Sequence, residues 1–121
     1  LIKIARLMKI PNFIGVFTRD RLSTRPKRRE SAIINLDTED GTGTHWVAYK
    51  KIGKKVQYYD SFGNLPPPLE VQQYFHGCDI HFNYSREQKY NTTNCGHLCL
   101  KFLSCSSNLV SCHARSFHRW K

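Results

Sequence analysis

Apolar and polar residues are arranged along this chain in short segments, which predict several strands and helices of modest length. Residues 1–10 carry apolar side chains on two sides and basic side chains on the third, which predicts a short amphipathic helix ended by Pro11. Residues 11–22 follow no clear period, and we expect an irregular segment there. The other predicted elements are strands at residues 31–36, 44–50, 55–60 and 80–84 and a short helix at residues 69–75.

The clearest helical pattern begins at Asn94. Its apolar face comprises Cys95, Leu98, Cys99, Phe102 and Leu103, at the spacing of one face of a helix. The Asn94 side chain can cap the first turn by accepting a hydrogen bond from a backbone amide. Cys95 then lies at the positive end of the helix dipole, which favours the thiolate, the nucleophilic form of cysteine. Cys95 is therefore a candidate nucleophile; the alternative is a small buried apolar residue.

The strands at residues 44–50 and 55–60 flank a glycine-containing turn and predict an antiparallel hairpin. If the turn is centred on residues 52–53, the numbers of opposed residues sum to 105, and His45 faces Asp60. Directly opposed residues have β-carbons about 4.5–5.5 Å apart. Asp60 could then hold one ring nitrogen of His45 and leave the other to act as a base. A one-residue slip would put the two on opposite faces, and a surface His–Asp pair would contribute well under about 1 kcal/mol.

Size and charge narrow the class of protein. The chain has 121 residues, enough for one domain with a core, and its net charge of +10 favours polyanionic partners such as nucleic acid. The basic run at residues 23–30 predicts an exposed loop, in which Lys27, Arg28 and Arg29 are candidate nucleic-acid contacts or part of a nuclear address. No apolar run approaches the roughly 18 residues that span a bilayer, so we expect no membrane partner. The five cysteines suggest no disulfide framework, which predicts reduced thiols in an intracellular protein.

The residues that carry chemistry follow one another in a specific order. In chain order they are His45, Trp46, Asp60, Gln88, Asn94, Cys95 and Gly96. This order of His-Trp, Asp, Gln and Cys-Gly resembles the adenovirus-type protease (adenain) and its relatives, the SUMO/Ulp-type cysteine proteases. It is most similar to the adenain-like proteases of adenoviruses and of the virus-like Maverick/Polinton DNA transposons. The resemblance covers about residues 13–103.

The resemblance implies an α+β papain-like cysteine protease fold of the adenain/Ulp type, in which a central, mostly antiparallel sheet packs against the nucleophile helix. It assigns Cys95 as nucleophile, His45 as general base, Asp60 as the residue that orients His45, and Gln88 as an oxyanion donor. The same resemblance implies an endopeptidase that cleaves at small or glycine-containing sites. The residues that it places beside the substrate are Trp46, Asn94 and Gly96.

Adenain-type proteases are longer than this chain and carry further helices after the nucleophile helix. Residues 104–121 have no sustained helical apolar pattern. We therefore expect a C-terminally truncated protease domain at residues 1–103 and a divergent tail at residues 104–121. The resemblance further implies a monomer that acts on protein substrates without a cofactor or metal, with DNA or a short peptide as stimulators, in the nucleus or in a virus-like particle.

Two other interpretations stay open. One is a zinc-binding interaction module, since Cys78 and His81 have a C-x2-H spacing. Further potential ligands are Cys95, His97, Cys99, Cys105, Cys112, His113 and His118. Structural zinc usually needs two close ligand pairs, and the helix would point His97 away from its neighbouring cysteines. The other interpretation is a decayed or domesticated relic that acts as a basic nucleic-acid-binding or interaction domain.

Overall fold

A mixed β-sheet lies at the centre of the computed structural model, which describes residues 2–22, 25–36, 45–61, 67–83, 95–104 and 117–119. Within these ranges the sheet has six strands: β1 (Phe13–Thr18), β2 (Arg29–Asn35), β3 (Trp46–Ile52), β4 (Lys55–Tyr59), β5 (Asp79–Asn83) and β6 (Phe117–Arg119). The α-helices of the same ranges are α1 (Ile2–Leu7), α2 (Leu69–Tyr74) and α3 (Cys95–Ser104), and a 3-10 turn at Arg19–Arg21 follows β1. None of the described helices is long and apolar enough to cross a membrane.

The strands lie side by side in the order in which they occur in the chain. Strands β2, β3 and β4 are joined by antiparallel pairings, as are β5 and β6, whereas β1–β2 and β4–β5 are parallel pairs. A parallel pair needs a crossover connection, and α2 lies in the connection between β4 and β5. The expected α+β fold with a mostly antiparallel sheet is therefore confirmed. Residues 117–119, which lie in the predicted tail, extend this sheet as β6.

Apolar side chains are buried on both faces of the sheet. Side chains alternate along β3, so that Val47 and Tyr49 face one layer and Ala48 faces the other. The first layer includes Val71, Tyr74 and Phe75 from α2 and the residue after it. The second layer includes Cys99, Leu100, Phe102 and Leu103 from α3. Burial of each aliphatic or aromatic side chain stabilises the fold by about 1.5–3 kcal/mol. The apolar face of α3 therefore holds this helix against the sheet, as predicted.

Residues 11–22 are not irregular throughout, because they contain β1. All six residues of β1 are half-buried, so the strand shows no alternation of buried and exposed positions. Gly15 has a φ of 142°, and the pairing with β2 shifts register between Phe13 and Gly15. A strand that is partly covered on both faces and interrupted by a bulge lacks the period of two on which sequence-based prediction depends.

Helix α1 ends at Leu7, earlier than the predicted residue 10. Lys9 and Asn12 have positive φ angles of 54° and 57°, which a right-handed helix cannot accommodate. Leu7 is 74% exposed, so this helix buries less apolar surface than its sequence pattern indicates. The helix predicted at residues 69–75 is confirmed as α2.

Glu30, which the sequence pattern assigns to an exposed loop, is instead a buried residue of β2 with 1% of its surface exposed. Its carboxylate accepts hydrogen bonds from the Tyr49 hydroxyl, from the Tyr74 hydroxyl at 2.7 Å and from the backbone N–H of Lys27 at 2.5 Å. A buried carboxylate is tolerated when such donors replace water. Burial of the Tyr49 hydroxyl raises the pKa of Tyr49 far above its usual value, and the hydrogen bond to Glu30 raises it further. Tyr49 therefore stays a neutral donor.

Candidate active site

The register of the β3–β4 hairpin differs from the predicted one. Tyr49 pairs with Tyr58 and Ile52 pairs with Lys55, so the numbers of opposed residues sum to 107 instead of 105. The turn consists of Gly53 and Lys54, and Gly53 has a φ of 59°. A two-residue turn with a positive φ at its first central position favours glycine there, because glycine adopts that conformation without strain. The position of this glycine therefore explains the shift of two residues.

His45 and Asp60 are nevertheless in contact at the open end of this hairpin, one residue beyond the ends of β3 and β4. Extended by one residue, the observed register would place Asp60 opposite Val47, which makes His45 a diagonal neighbour instead of a directly opposed one. Diagonal neighbours lie about 7–8 Å apart, within reach of two polar side chains. The Nε2 atom of His45 lies 2.8 Å from Oδ1 of Asp60. The predicted pair is therefore present, through a different register.

The Asp60 side chain is enclosed by protein. Asp60 and Ser61 are 1% and 0% exposed, and the His45 side chain is 17% exposed, so His45 is the member of the pair that solvent reaches. Burial raises the pKa of Tyr58 well above its usual value, and the negative charge of Asp60 adds to this effect. The site therefore combines a shielded carboxylate with a half-buried imidazole, whose Nδ1 atom is itself enclosed by protein.

Asn83, the last residue of β5, holds the backbone of Asp60 through two hydrogen bonds. Its Oδ1 atom accepts from the N–H of Asp60 at 2.8 Å, and its Nδ2 atom donates to the carbonyl oxygen of Asp60 at 2.6 Å. Asn83 is 2% exposed. Sequence reasoning did not single out this residue. The available signal was an asparagine at the end of a strand, where this residue type is uncommon.

Helix α3 packs on the two strands that end beside His45 and Asp60. Phe102 stacks on Tyr59 of β4 with ring centroids 4.9 Å apart and an interplanar angle of 8°. Trp46, the first residue of β3, is half-buried and packs against the cluster that contains Cys99 of α3. The helix begins at Cys95, followed by Gly96. The side chain of Cys95 lies outside the described part of the chain, as do Gln88 and Asn94.

The candidate nucleic-acid contacts lie at the opposite end of the sheet from the His45–Asp60 pair. Lys27, Arg28 and Arg29 are exposed, as predicted. Arg29 begins β2 and pairs with Ile52 at the end of β3, whereas the candidate active site lies beyond the start of β3. The structure therefore separates these basic side chains from the candidate active site.

The described part of the chain contains no group of three or more Cys, His, Asp or Glu side chains that could hold a metal ion. Within the same ranges, Cys78 and Cys99 are not joined in a disulfide, and they are half-buried and buried respectively. Among the other potential zinc ligands, Cys105, Cys112 and His113 lie outside the described residues, as do the side chains of Cys95, His97 and His118.

Comparison with known proteins identifies the fold. No protein-family model and no curated protein sequence matches this chain. Two structures of the SUMO protease Ulp1, with the catalytic cysteine oxidised to a sulfonic and to a sulfinic acid, match it with TM-scores of 0.51 and 0.52 at 14% sequence identity. The matches cover 85% of this chain and 61% and 60% of theirs. An ASFV protease is 25% identical, with a TM-score of 0.48, over 66% of this chain and 35% of its own.

This chain therefore spans less than two thirds of the Ulp1 chains that it matches. At an identity of 14%, the likeness to Ulp1 concerns the fold. The chain has a Ulp-type cysteine protease fold: a mixed sheet with α3 on one face and α2 on the other.

Proposed function

We propose that this chain is a cysteine-type endopeptidase domain in which Cys95 is the nucleophile, His45 is the general base and Asp60 orients His45. The observation that carries the proposal is the 2.8 Å contact between His45 Nε2 and the buried Asp60 Oδ1. This contact lies at the end of the strands on which α3 packs, and α3 begins at Cys95. The Ulp-type fold supports the same assignment.

The geometry of the pair determines how each group would act. Because Asp60 accepts a hydrogen bond from Nε2–H, Nδ1 is the ring nitrogen through which His45 would take the proton of the Cys95 thiol. The thiolate would then attack the scissile carbonyl carbon, and the resulting imidazolium would be stabilised by the Asp60 carboxylate. Nδ1–H would protonate the leaving amine as the C–N bond breaks. Water, deprotonated by the same nitrogen, would hydrolyse the thioester and release the acid.

The remaining roles are proposed from the resemblance to adenain-like proteases. Gln88 and the backbone N–H of Cys95 would donate to the oxyanion that forms during attack, an arrangement that lowers barriers by about 3 kcal/mol. Trp46, Asn94 and Gly96 would line the cleft for the substrate backbone. We propose protein substrates cleaved at small or glycine-containing sites, and an origin in a virus or a virus-like DNA transposon.

Selective labelling of thiols tests the proposal. A thiolate paired with an imidazolium reacts at pH 6, where an ordinary thiol with a pKa of about 8.5 is only about 0.3% ionised. We expect iodoacetamide at pH 6 to label Cys95 much faster than Cys78 in the same molecule, as measured by mass spectrometry. His45→Ala should abolish this preference. Cys95→Ser should abolish cleavage of quenched fluorescent peptides that contain glycine at the scissile bond.

Cys99→Ser and Cys78→Ser are the matched controls, because each removes one thiol outside the proposed machinery. Both should leave the labelling of Cys95 unchanged. If Cys95 is labelled no faster than Cys78 at pH 6 and Cys95→Ser cleaves as well as the unmodified protein, the protease proposal is wrong.

We propose a second property, the binding of nucleic acid, which rests on a separate observation. The turn between β3 and β4 contacts the basic segment at residues 27–29, since the N–H of Gly53 donates to the carbonyl oxygen of Arg28 at 2.7 Å. As a result, exposed basic side chains from the segment and the hairpin meet at one end of the sheet. This basic end comprises Lys27, Arg28, Arg29, Lys54 and Lys55. Such a cluster suits phosphate groups and can act with or without protease activity.

The salt dependence of DNA binding tests this property. A triple substitution of Lys27, Arg28 and Arg29 by alanine should change the salt dependence of binding. The slope of the logarithm of the binding constant against the logarithm of the salt concentration should fall in magnitude by about 2–3, since each phosphate contact contributes about 0.9. The control replaces three exposed basic residues elsewhere, Arg6, Lys9 and Lys101, and so removes the same charge. Equal slopes for the two triple variants would exclude the basic end as the binding surface.

A further inference from the structure

We infer that Asn83 is a positioning residue that fixes the Asp60 carboxylate against His45, an inference that rests on the proposed protease function. The hydrogen bonds of Asn83 at 2.8 and 2.6 Å go to the backbone of Asp60 and not to its carboxylate. Asn83 holds this backbone through both the N–H and the carbonyl group. We therefore assign its effect to the orientation of the Asp60 side chain.

The position of Asp60 in the chain makes such support necessary. Strand β4 ends at Tyr59, and its pairing with β5 ends where Tyr58 faces Phe82. Asp60 therefore lies just beyond the paired residues of β4, and its backbone groups are buried. The side-chain amide of Asn83 supplies an acceptor to the N–H and a donor to the carbonyl oxygen of Asp60. It thereby continues the contact between β4 and β5 by one residue through a side chain.

The consequence for catalysis follows from the rigidity of a buried pair. Asp60 and Asn83 are 1% and 2% exposed, so protein and not solvent surrounds the Asp60 carboxylate. The backbone of Asp60 therefore sets the position of this carboxylate. Two hydrogen bonds to the same residue fix the Cα–Cβ direction from which the carboxylate reaches His45 Nε2. A misplacement of about 1 Å in a catalytic group can reduce rates by up to 100-fold. A loss of the Asn83 amide should thus weaken the His45–Asp60 contact without touching either side chain.

The first test reads this contact directly, in the full chain. A histidine N–H that is bonded to a buried carboxylate gives a low-field proton NMR signal, which we expect for His45 Nε2–H. Asn83→Ala should remove or broaden this signal. Ser31→Ala is the matched control: Ser31 is 3% exposed, and its hydroxyl donates to the carbonyl oxygen of Pro11 at 2.9 Å. That variant also loses a hydrogen bond from a side chain to the backbone, one that is partly buried, and it should keep the signal.

The second test separates positioning from a merely structural role. Asn83→Ala should lower kcat by about tenfold or more and change KM less, because the contact it supports acts in the chemical step. In the Asp60→Ala background, Asn83→Ala should cause no further loss of kcat, since no carboxylate is left to position. If Asn83→Ala does not fold, Asn83→Asp takes its place, because it keeps the size and the acceptor but loses the donor to the Asp60 carbonyl oxygen.

The outcomes distinguish this inference from the protease proposal. A folded Asn83 variant that keeps the low-field signal and the kcat of the unmodified protein overturns the inference, as does a further tenfold loss in the Asp60→Ala background. If Cys95→Ser leaves turnover unchanged, the protease proposal fails instead. The NMR signal would still decide the role of Asn83, because it does not depend on Cys95.

Discussion

The buried carboxylate of Glu30 offers the most direct test of the polar packing beneath the basic segment. Three donors converge on it: the hydroxyls of Tyr49 and Tyr74 and the backbone N–H of Lys27. Glu30→Gln preserves the shape of the side chain and replaces one oxygen by an NH₂ group. This NH₂ group is a donor, and it then faces either the Lys27 N–H or the two hydroxyls, where an accepting oxygen stood before.

The expected cost can be worked out from these bonds. A buried donor left without an acceptor costs about 1–3 kcal/mol, and the bonds that survive weaken because a neutral acceptor replaces a charged one. The Gln variant no longer buries a charge, which offsets part of this loss. We expect Glu30→Gln to lower the free energy of unfolding by about 2–4 kcal/mol, a large share of the 5–15 kcal/mol typical of a domain.

Urea unfolding followed by circular dichroism measures this difference. The control is the same substitution at Glu70, whose carboxylate is 41% exposed and lies 3.6 Å from Arg19. A surface pair of this kind contributes about 0–1 kcal/mol, so Glu70→Gln should change stability little. If the two variants are equally stable, the hydrogen bonds to Glu30 do not support the fold as we infer. The comparison is made at one salt concentration because exposed pairs are screened.

Two further predictions concern the packing of α3 on the sheet. Burial lowers the pKa of Lys50 to about 8 from 10.5, so between these pH values the unfolded chain binds more protons than the folded one and stability rises with pH. Lys50→Met should therefore be more stable than the unmodified protein at pH 7 by about 1–2 kcal/mol, after discounting for partial exposure. Urea unfolding at several pH values should show this difference in stability closing by pH 10.5, and a difference that does not depend on pH would contradict the prediction. Phe102 is 1% exposed and stacks on Tyr59, so Phe102→Ala should lower the free energy of unfolding in urea by about 3–5 kcal/mol. Leu69→Ala, at a position that is 63% exposed, should lower it by less than about 0.5 kcal/mol, and similar losses for both variants would refute the role of the stack.

The parts of the fold that could be predicted are those that local signals determine. Helix α3 repeats its apolar residues with the period of a helix, and its buried Cys99, Phe102 and Leu103 confirm that pattern. Strand β1 and the burial of Glu30 could not be predicted, because both depend on distant partners. Half-burial on two faces removes the alternation from β1, and the donors to Glu30 include Tyr74, 44 residues away. The support of Asp60 by Asn83 escaped prediction for the same reason.

The hairpin shows which part of a site prediction is robust. Counting from the turn gave a register that is wrong by two residues, because the turn comprises Gly53 and Lys54. A shift of two changes every partner but leaves each side chain on its face, since side chains alternate with a period of two. His45 and Asp60 thus become diagonal neighbours, and their side chains span the added distance to reach 2.8 Å. A shift of one would have placed them on opposite faces, so the pair depends on an even shift and not on direct opposition.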